Sequence, residues 1–269
     1  MSSTGGRGRG TSARSPRRSF LHLYIAVVAA IVLAAVPGTQ VAAHAAPPCD
    51  DREYLRLVDR LHPLRAEYAP ADLVDLRRLG VPVTGLAPQM RAEPALAYTR
   101  MASAAGQQGL TLIAISGYRS FAMQRDTFSR WMLREQAAWA DAGAPIDNAE
   151  ATARANRYSA IAGQSEHQLG SVLDVSSREV AGALNIYLLY SETGKWLLAH
   201  AHEYGFVLSY PPGKERLTGY NAEPWHLRFA GVSAARELFD QKYLDPQNDV
   251  TLGGYLATLK ASDCTAFLP

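Results

Sequence analysis

Two short stretches of this chain set nitrogen and carboxylate ligands near enough in sequence to hold a metal ion and activate water. In Ser165-Glu166-His167-Gln168-Leu169-Gly170-Ser171-Val172-Leu173-Asp174 a histidine precedes a glycine turn, and an aspartate falls in the segment that returns past it. Histidine nitrogen with carboxylate oxygen suits zinc, whose catalytic sites use three protein ligands and keep a fourth position for water. Glu223-Pro224-Trp225-His226 offers the third ligand, together with a carboxylate able to take a proton from that water. Residues i and i+3 of a regular strand face opposite sides, so Glu223 and His226 converge only if the backbone bends, which Pro224 permits. Taken singly, each pattern is weak: His-x6-Asp is commonly accidental and Glu-x-x-His is commonly a surface pair.

The remaining histidines are poorer candidates. His22 and His44 precede the mature domain, His62 beside Pro63 reads as a capping or packing residue, and His200 and His202 sit two apart on a helix, facing different ways. Arg119, in Ser116-Gly117-Tyr118-Arg119-Ser120 at the end of a strand, could be a surface ion pair, but its place after a buried strand favours a cleft. Tyr118 and Trp225 are candidate pocket walls, although aromatics at such positions are often core.

The elements that must position these residues follow from periodicity. Asp51 to Leu79 reads as helix, broken at His62-Pro63 and around Tyr68-Ala69-Pro70, with a short helix opened by Asp72 and ended by Gly80. Leu96 to Gln108 is predicted helical and stops at Gly109, and the β-branched run Leu110 to Ile115 is a buried strand. Phe121 to Ala140 is a long amphipathic helix, and Ala142 to Ser165 is a connection rich in Ala, Gly and Asn. Strands are predicted at Ser171–Val175, Phe206–Tyr210 and Trp225–Phe229, and helices at Gly194–Tyr204, closed by Gly205, and at Ser233–Tyr243. Helices and strands do not alternate regularly, so the expected class is α+β, with a small, mainly antiparallel sheet flanked by helices.

Of the 269 residues, 48% are hydrophobic and 19% charged, enough for one globular domain. Five arginines precede an apolar run, Phe20 to Val36, with no acidic residue before Asp50, and Ala43-His44-Ala45 fits a cleavage site. Residues 1–45 therefore read as a cleavable export signal and 46–269 as a single catalytic domain. Arg17-Arg18-Ser19-Phe20-Leu21 resembles a twin-arginine signal; an ordinary secretory signal fits equally, and the run is short for the roughly 20 residues of a spanning helix. Losing those five of 27 Lys+Arg against an unchanged 25 Asp+Glu turns the charge from +2 to −3. A mildly acidic domain without basic clusters excludes a nucleic-acid partner. Cys49 and Cys264, the only two cysteines, are expected to pair in an oxidising compartment.

Residues from about Leu61 to Gly231 resemble the VanY-type D-alanyl-D-alanine carboxypeptidases, part of a wider group that includes lysostaphin-like enzymes and the hedgehog signalling domain. The marks are His62-Pro63-Leu64 with Tyr68 to Val74, Ser116 to Ser120, Ser165 to Asp174, Tyr204-Gly205-Phe206 through Gly213-Lys214-Glu215, and Thr218-Gly219-Tyr220 to His226. The resemblance implies His167, Asp174 and His226 as zinc ligands, Glu223 as catalytic base and Arg119 as the charge that steadies substrate and oxyanion. Ser165, Tyr118 and Trp225 become substrate-binding positions. Val172 stands where the family usually has alanine, and Ser209 where an arginine is frequent. The substrate implied is a peptidoglycan stem peptide ending in D-Ala-D-Ala, handled by an exported monomer. An endopeptidase, a D-Ala-D-Ala dipeptidase or a non-catalytic zinc-stabilised module are the alternatives; Glu223 and Arg119 favour the enzyme, because a structural zinc needs neither.

Overall fold

The computed structural model describes residues 54–261, with side chains through residue 259. The predicted export signal, residues 1–45, and the predicted Cys49–Cys264 pair lie outside the described residues. In chain order come β1 (Leu73–Asp75), β2 (Val83–Ala87), β3 (Gln89–Arg91), α1 (Ala92–Gln107), β4 (Leu112–Ser116), α2 (Phe121–Asp141), α3 (Asn148–Ala155), β5 (Val172–Ser177) and α4 (Glu192–His200). Then follow β6 (Phe206–Leu208), α5 (Glu215–Thr218), β7 (His226–Phe229), α6 (Val232–Asp240) and α7 (Leu252–Ala261). Short 3-10 turns at Leu76–Leu79, Glu166–Leu169, Ile186–Tyr190 and Ala201–Tyr204 join them.

Five strands form one sheet in the order β2-β4-β5-β7-β6, parallel only between β2 and β4, and β1 pairs β3 in a separate antiparallel ribbon. This is the α+β class expected, with helices flanking a small and mainly antiparallel sheet.

Alternation on the central strands decides which face does chemistry. Leu173 and Val175 of β5, and Leu227 and Phe229 of β7, belong to the main apolar core with residues of α1, α4, α6 and β6. Asp174, His226 and Arg228 are the intervening residues and stand on the other face. Each fully buried Leu, Val or Phe contributes about 1.5–3 kcal/mol. A one-residue slip of β5 would exchange Leu173 for Asp174 in the core, so the apolar set fixes the register of the chemistry. In that register Asp174 is the direct partner of His226 on β7 and of Ser116 on β4.

Several expectations need correction. No helix forms between residues 54 and 72, and the short helix placed after Asp72 is instead β1 followed by a 3-10 turn. Tyr54, Leu55 and Leu57 are buried in the main core and Val58 and Leu64 in a second cluster, so tertiary packing holds this stretch without helix. Gly80 does end the turn, in the left-handed conformation at φ 73°. The connection from Ala142 to Ser165 contains α3, whose start Asp147 caps by accepting from the Glu150 backbone N–H at 2.8 Å. The predicted Gly194–Tyr204 helix is α4 from Glu192, tightening to a 3-10 turn after His200. Among the described residues no helix is long and apolar enough to cross a membrane.

Candidate metal centre

His167 sits in the turn Glu166–Leu169, which Gly170 closes in the left-handed conformation at φ 72°. The Gly170 carbonyl accepts from the Arg91 N–H at 2.8 Å, tying the turn to β3. His167 Nδ1 lies 2.7 Å from the Gly117 carbonyl oxygen. A carbonyl can only accept, so Nδ1 carries the proton and Nε2 presents its lone pair inward. Gly117 is required by close approach: a Cβ there would lie 2.2 Å from the Gln89 carbonyl oxygen. The next residues are locked the same way, with Tyr118 N–H donating to Gln89 O at 2.6 Å and Arg119 N–H to His167 O at 3.2 Å.

On β5, Asp174 reaches both histidines, its Oδ2 lying 3.4 Å from His167 Nε2 and its Oδ1 3.4 Å from His226 Nδ1. The bend required between Glu223 and His226 is present: a turn at Pro224–Trp225 closes with His226 N–H donating to Glu223 O at 3.0 Å. Glu223 Oε2 then lies 3.4 Å from His226 Nδ1. The Glu223 N–H is anchored on Tyr210 O at 2.9 Å.

One donor atom from each of His167, Asp174 and His226 lies within 4.8 Å of the others. His167 Nε2, Asp174 Oδ1 and His226 Nδ1 are all buried with no hydrogen-bond partner among the described residues. An unmade hydrogen bond on a buried polar atom costs about 1–3 kcal/mol, so three such atoms aimed at one another call for a shared occupant. Two imidazole nitrogens and a carboxylate oxygen fit a zinc ion, with a position to spare.

The electrostatics separate the two carboxylates beside the histidines. Burial pushes Glu223 up to about 7, reinforced by the charges of Asp174 and Glu166 and opposed by His226 and Arg119. Burial acts on Asp174 in the same sense, but the two histidines more than reverse it and hold the group well below the usual carboxylate range. Burial and the Arg119 charge lower His167 to about 4. Burial opposes charge on His226 as well, yet its contacts with Asp174 and Glu166 carry it up to about 10. Asp174 is thus a committed anion, and Glu223 is poised to gain or lose a proton near neutrality.

Arg119 is not a surface ion pair. Burial lowers its pKa, the charges of Asp174 and Glu223 oppose that, and its Nε is buried without a hydrogen-bond partner among the described residues. Ser165 is buried at the start of the His167 turn, and its side chain caps nothing. Tyr118 and Trp225 are half-buried and tied to the site through their backbones, the Trp225 carbonyl accepting from Val175 N–H at 2.9 Å. The aromatic ring beside the donors is one that sequence reasoning missed: Tyr210, whose centroid is 4.9 Å from that of His226. Also missed were Glu166 and Arg228. Glu166 Oε2 lies 3.1 Å from His226 Nε2, and Arg228 Nη1 donates to Glu166 Oε1. The signal was present in His226-Leu227-Arg228-Phe229, where strand alternation puts Arg228 on the same face as His226. The rejected histidines lie elsewhere: His62 Nδ1 meets Asp59 at 2.8 Å, His200 Nδ1 meets Glu203 at 3.1 Å, and His202 stacks on Phe239.

The segment that carries this centre is similar to known proteins. The sequence profile of VanY, D-alanyl-D-alanine carboxypeptidase, matches residues 87–232, which include Arg119 and all four residues of the centre. YodJ of Bacillus subtilis (strain 168), a carboxypeptidase by name alone, is 33% identical over 213 residues, covering 77% of this chain and 68% of its own. The LD-carboxypeptidase LdcB superposes with a TM-score of 0.64 at 32% identity, over 78% of this chain and 88% of its own. A mutant of the D,D-pentapeptidase VanY from the VanB-type resistance cassette, solved with Zn(II), gives 0.60 at 27% identity, over 76% and 99%. The chain belongs to the VanY D-alanyl-D-alanine carboxypeptidase family.

Proposed function

We propose that residues 46–269 form an exported zinc D,D-carboxypeptidase that releases the terminal D-alanine from peptidoglycan stem peptides ending in D-Ala-D-Ala. The observation that carries this reading is the convergence of three partnerless buried donors, from His167, Asp174 and His226, beside a carboxylate whose proton is in play near neutral pH. His167 Nε2, His226 Nδ1 and an Asp174 oxygen would hold the zinc. When bound, the ion supplies Lewis acidity, polarising a carbonyl and making water more acidic.

The chain's own residues do the rest. Glu223 accepts a proton from the attacking water and passes it to the departing D-alanine amine, a task suited to a carboxyl near 7. Arg119, half-buried and without a partner at Nε among the described residues, offers its guanidinium to the charge that develops on the scissile carbonyl oxygen. The Gly117 carbonyl holds the His167 ring in one orientation. Ser165, Tyr118 and Trp225 would line the path of the stem peptide.

Residues 1–45 act as the cleaved export signal, placing a monomeric enzyme with a Cys49–Cys264 disulfide where wall peptides are exposed. A second reading is favoured by the LdcB likeness: an L,D-carboxypeptidase would instead release D-alanine from a tetrapeptide, across an L-to-D bond. One experiment separates them. The mature domain is incubated with stem pentapeptide or tetrapeptide, and the products are weighed with and without a chelator. Loss of one D-alanine from the pentapeptide, abolished by chelation and restored by zinc, is the expected result. Loss from the tetrapeptide alone would move the assignment to the second reading, and no loss from either would end both.

A further inference from the structure

The buried ion pair Glu166–Arg228 has no part in the chemistry described above, yet it touches a proposed ligand. Glu166 divides its carboxylate: Oε1 accepts from Arg228 Nη1, and Oε2 lies 3.1 Å from His226 Nε2. Arg228, fully buried, spends its other terminal nitrogen on two backbone carbonyls of the amino-terminal stretch, Tyr54 O at 3.0 Å and Arg56 O at 2.5 Å. A chain of contacts thus runs from residues 54–56 through Arg228 and Glu166 to the far side of the His226 ring. Its near side faces Asp174 and Glu223.

We propose that Glu166 and Arg228 are positioning residues, which hold the His226 ring so that Nδ1 rather than Nε2 is offered to zinc. The proposal rests on the zinc reading above. A carboxylate accepts only, so Glu166 obliges Nε2 to carry a proton and leaves Nδ1 as the ligand atom. A ring free to turn over would present either nitrogen. Arg228 fixes the carboxylate itself, and its tie to Tyr54 and Arg56 makes the amino-terminal stretch part of the site's support. Stability alone does not require this arrangement, because a buried ion pair can be replaced by apolar residues of similar volume at little or no cost. Partners behind a metal-binding histidine typically matter by about 10–100-fold in metal affinity.

The test uses the purified mature domain, Glu166→Gln, and the double variant Glu166→Leu/Arg228→Met, which removes the pair without stranding a charge. Zinc affinity is measured by competition with a chromophoric chelator, thermal midpoint by calorimetry, and the zinc-bound nitrogen of His226 by nitrogen-15 NMR. The expected result is folded variants whose zinc affinity falls about 10–100-fold, with His226 no longer bound through Nδ1 alone. In the double variant the affinity should fall although the thermal midpoint does not. Zinc affinity within about twofold of wild type in both variants, with His226 still on Nδ1, overturns the proposal and leaves the zinc reading intact. A wild-type domain that binds no zinc overturns both.

Discussion

The β5–β7 pair and the α2–α3 helical hairpin are built by opposite means. Every residue of β5 and β7 is buried, and the contacts that matter join residues far apart in sequence, as Asp174 and His226 are. Of the 21 residues of α2, only Gln124 and Phe128 are buried, and of α3 only Ala151 and Ala155. The hairpin is held by local devices: Ser120 and Asp147 cap its helices, Arg154 pairs with Glu150 at 2.6 Å one turn away, and Gln136 reaches Asn148 at 2.8 Å. Each such surface contact is worth about 0.3–1 kcal/mol. The difference teaches where change should tell: in β5–β7 a single atom should alter chemistry, whereas in the hairpin it should alter only stability.

The largest effect is expected at Asp174, which meets both histidines. Asp174→Ala should remove zinc and hydrolysis together, and His167→Ala and His226→Ala should do the same, as read by metal analysis and D-alanine release. Retained zinc in the Asp174 variant would remove it from the ligand set.

Glu223→Gln sharpens the contrast within the site. The amide can still hydrogen-bond water but cannot take its proton, so turnover should fall about 10²–10⁴-fold at unchanged zinc content. Near-normal turnover would show that another group is the base, and lost zinc would make Glu223 a ligand.

For Arg119 the expected loss is somewhat smaller. Arg119→Ala should lower kcat and kcat/KM alike, by about 10²–10³-fold if the guanidinium acts on the oxyanion. Lysine should rescue little, since a point charge lacks the planar fork. A pure rise in KM in both variants would mean carboxylate anchoring instead.

The smallest effect belongs to the hairpin. Asp147→Ala removes a helix cap worth about 1 kcal/mol and should lower the thermal midpoint by a few degrees. Zinc affinity and kcat should not change; a change in either would show that the hairpin is coupled to the site and erase the contrast.

The parts of this contrast differ in how far they can be read from sequence. His167, Asp174, Glu223 and His226 are legible through the resemblance that their two patterns carry together, each pattern being weak alone, and the structure brings all four together. The β-branched run Leu110 to Ile115 makes β4 legible, and Gly170 marks the entry to β5. The apolar spacing of residues 54–72 suits a helix, but burial of Tyr54, Leu55 and Leu57 against distant elements determines their path. The α3 helix was missed although Asp147 and Glu150 form a recognisable start. Glu166 and Arg228 cannot be paired from sequence, since one lies in the turn before β5 and the other on β7, and only the folded chain brings them into contact.

Whether the three partnerless donors share one zinc ion is read out by anomalous diffraction from a crystal of the zinc-loaded domain. One peak per chain is expected, bonded to His167 Nε2, an Asp174 oxygen and His226 Nδ1, with Glu223 beside it but unbonded. A peak held by other residues, or none at full zinc loading, would contradict a shared site.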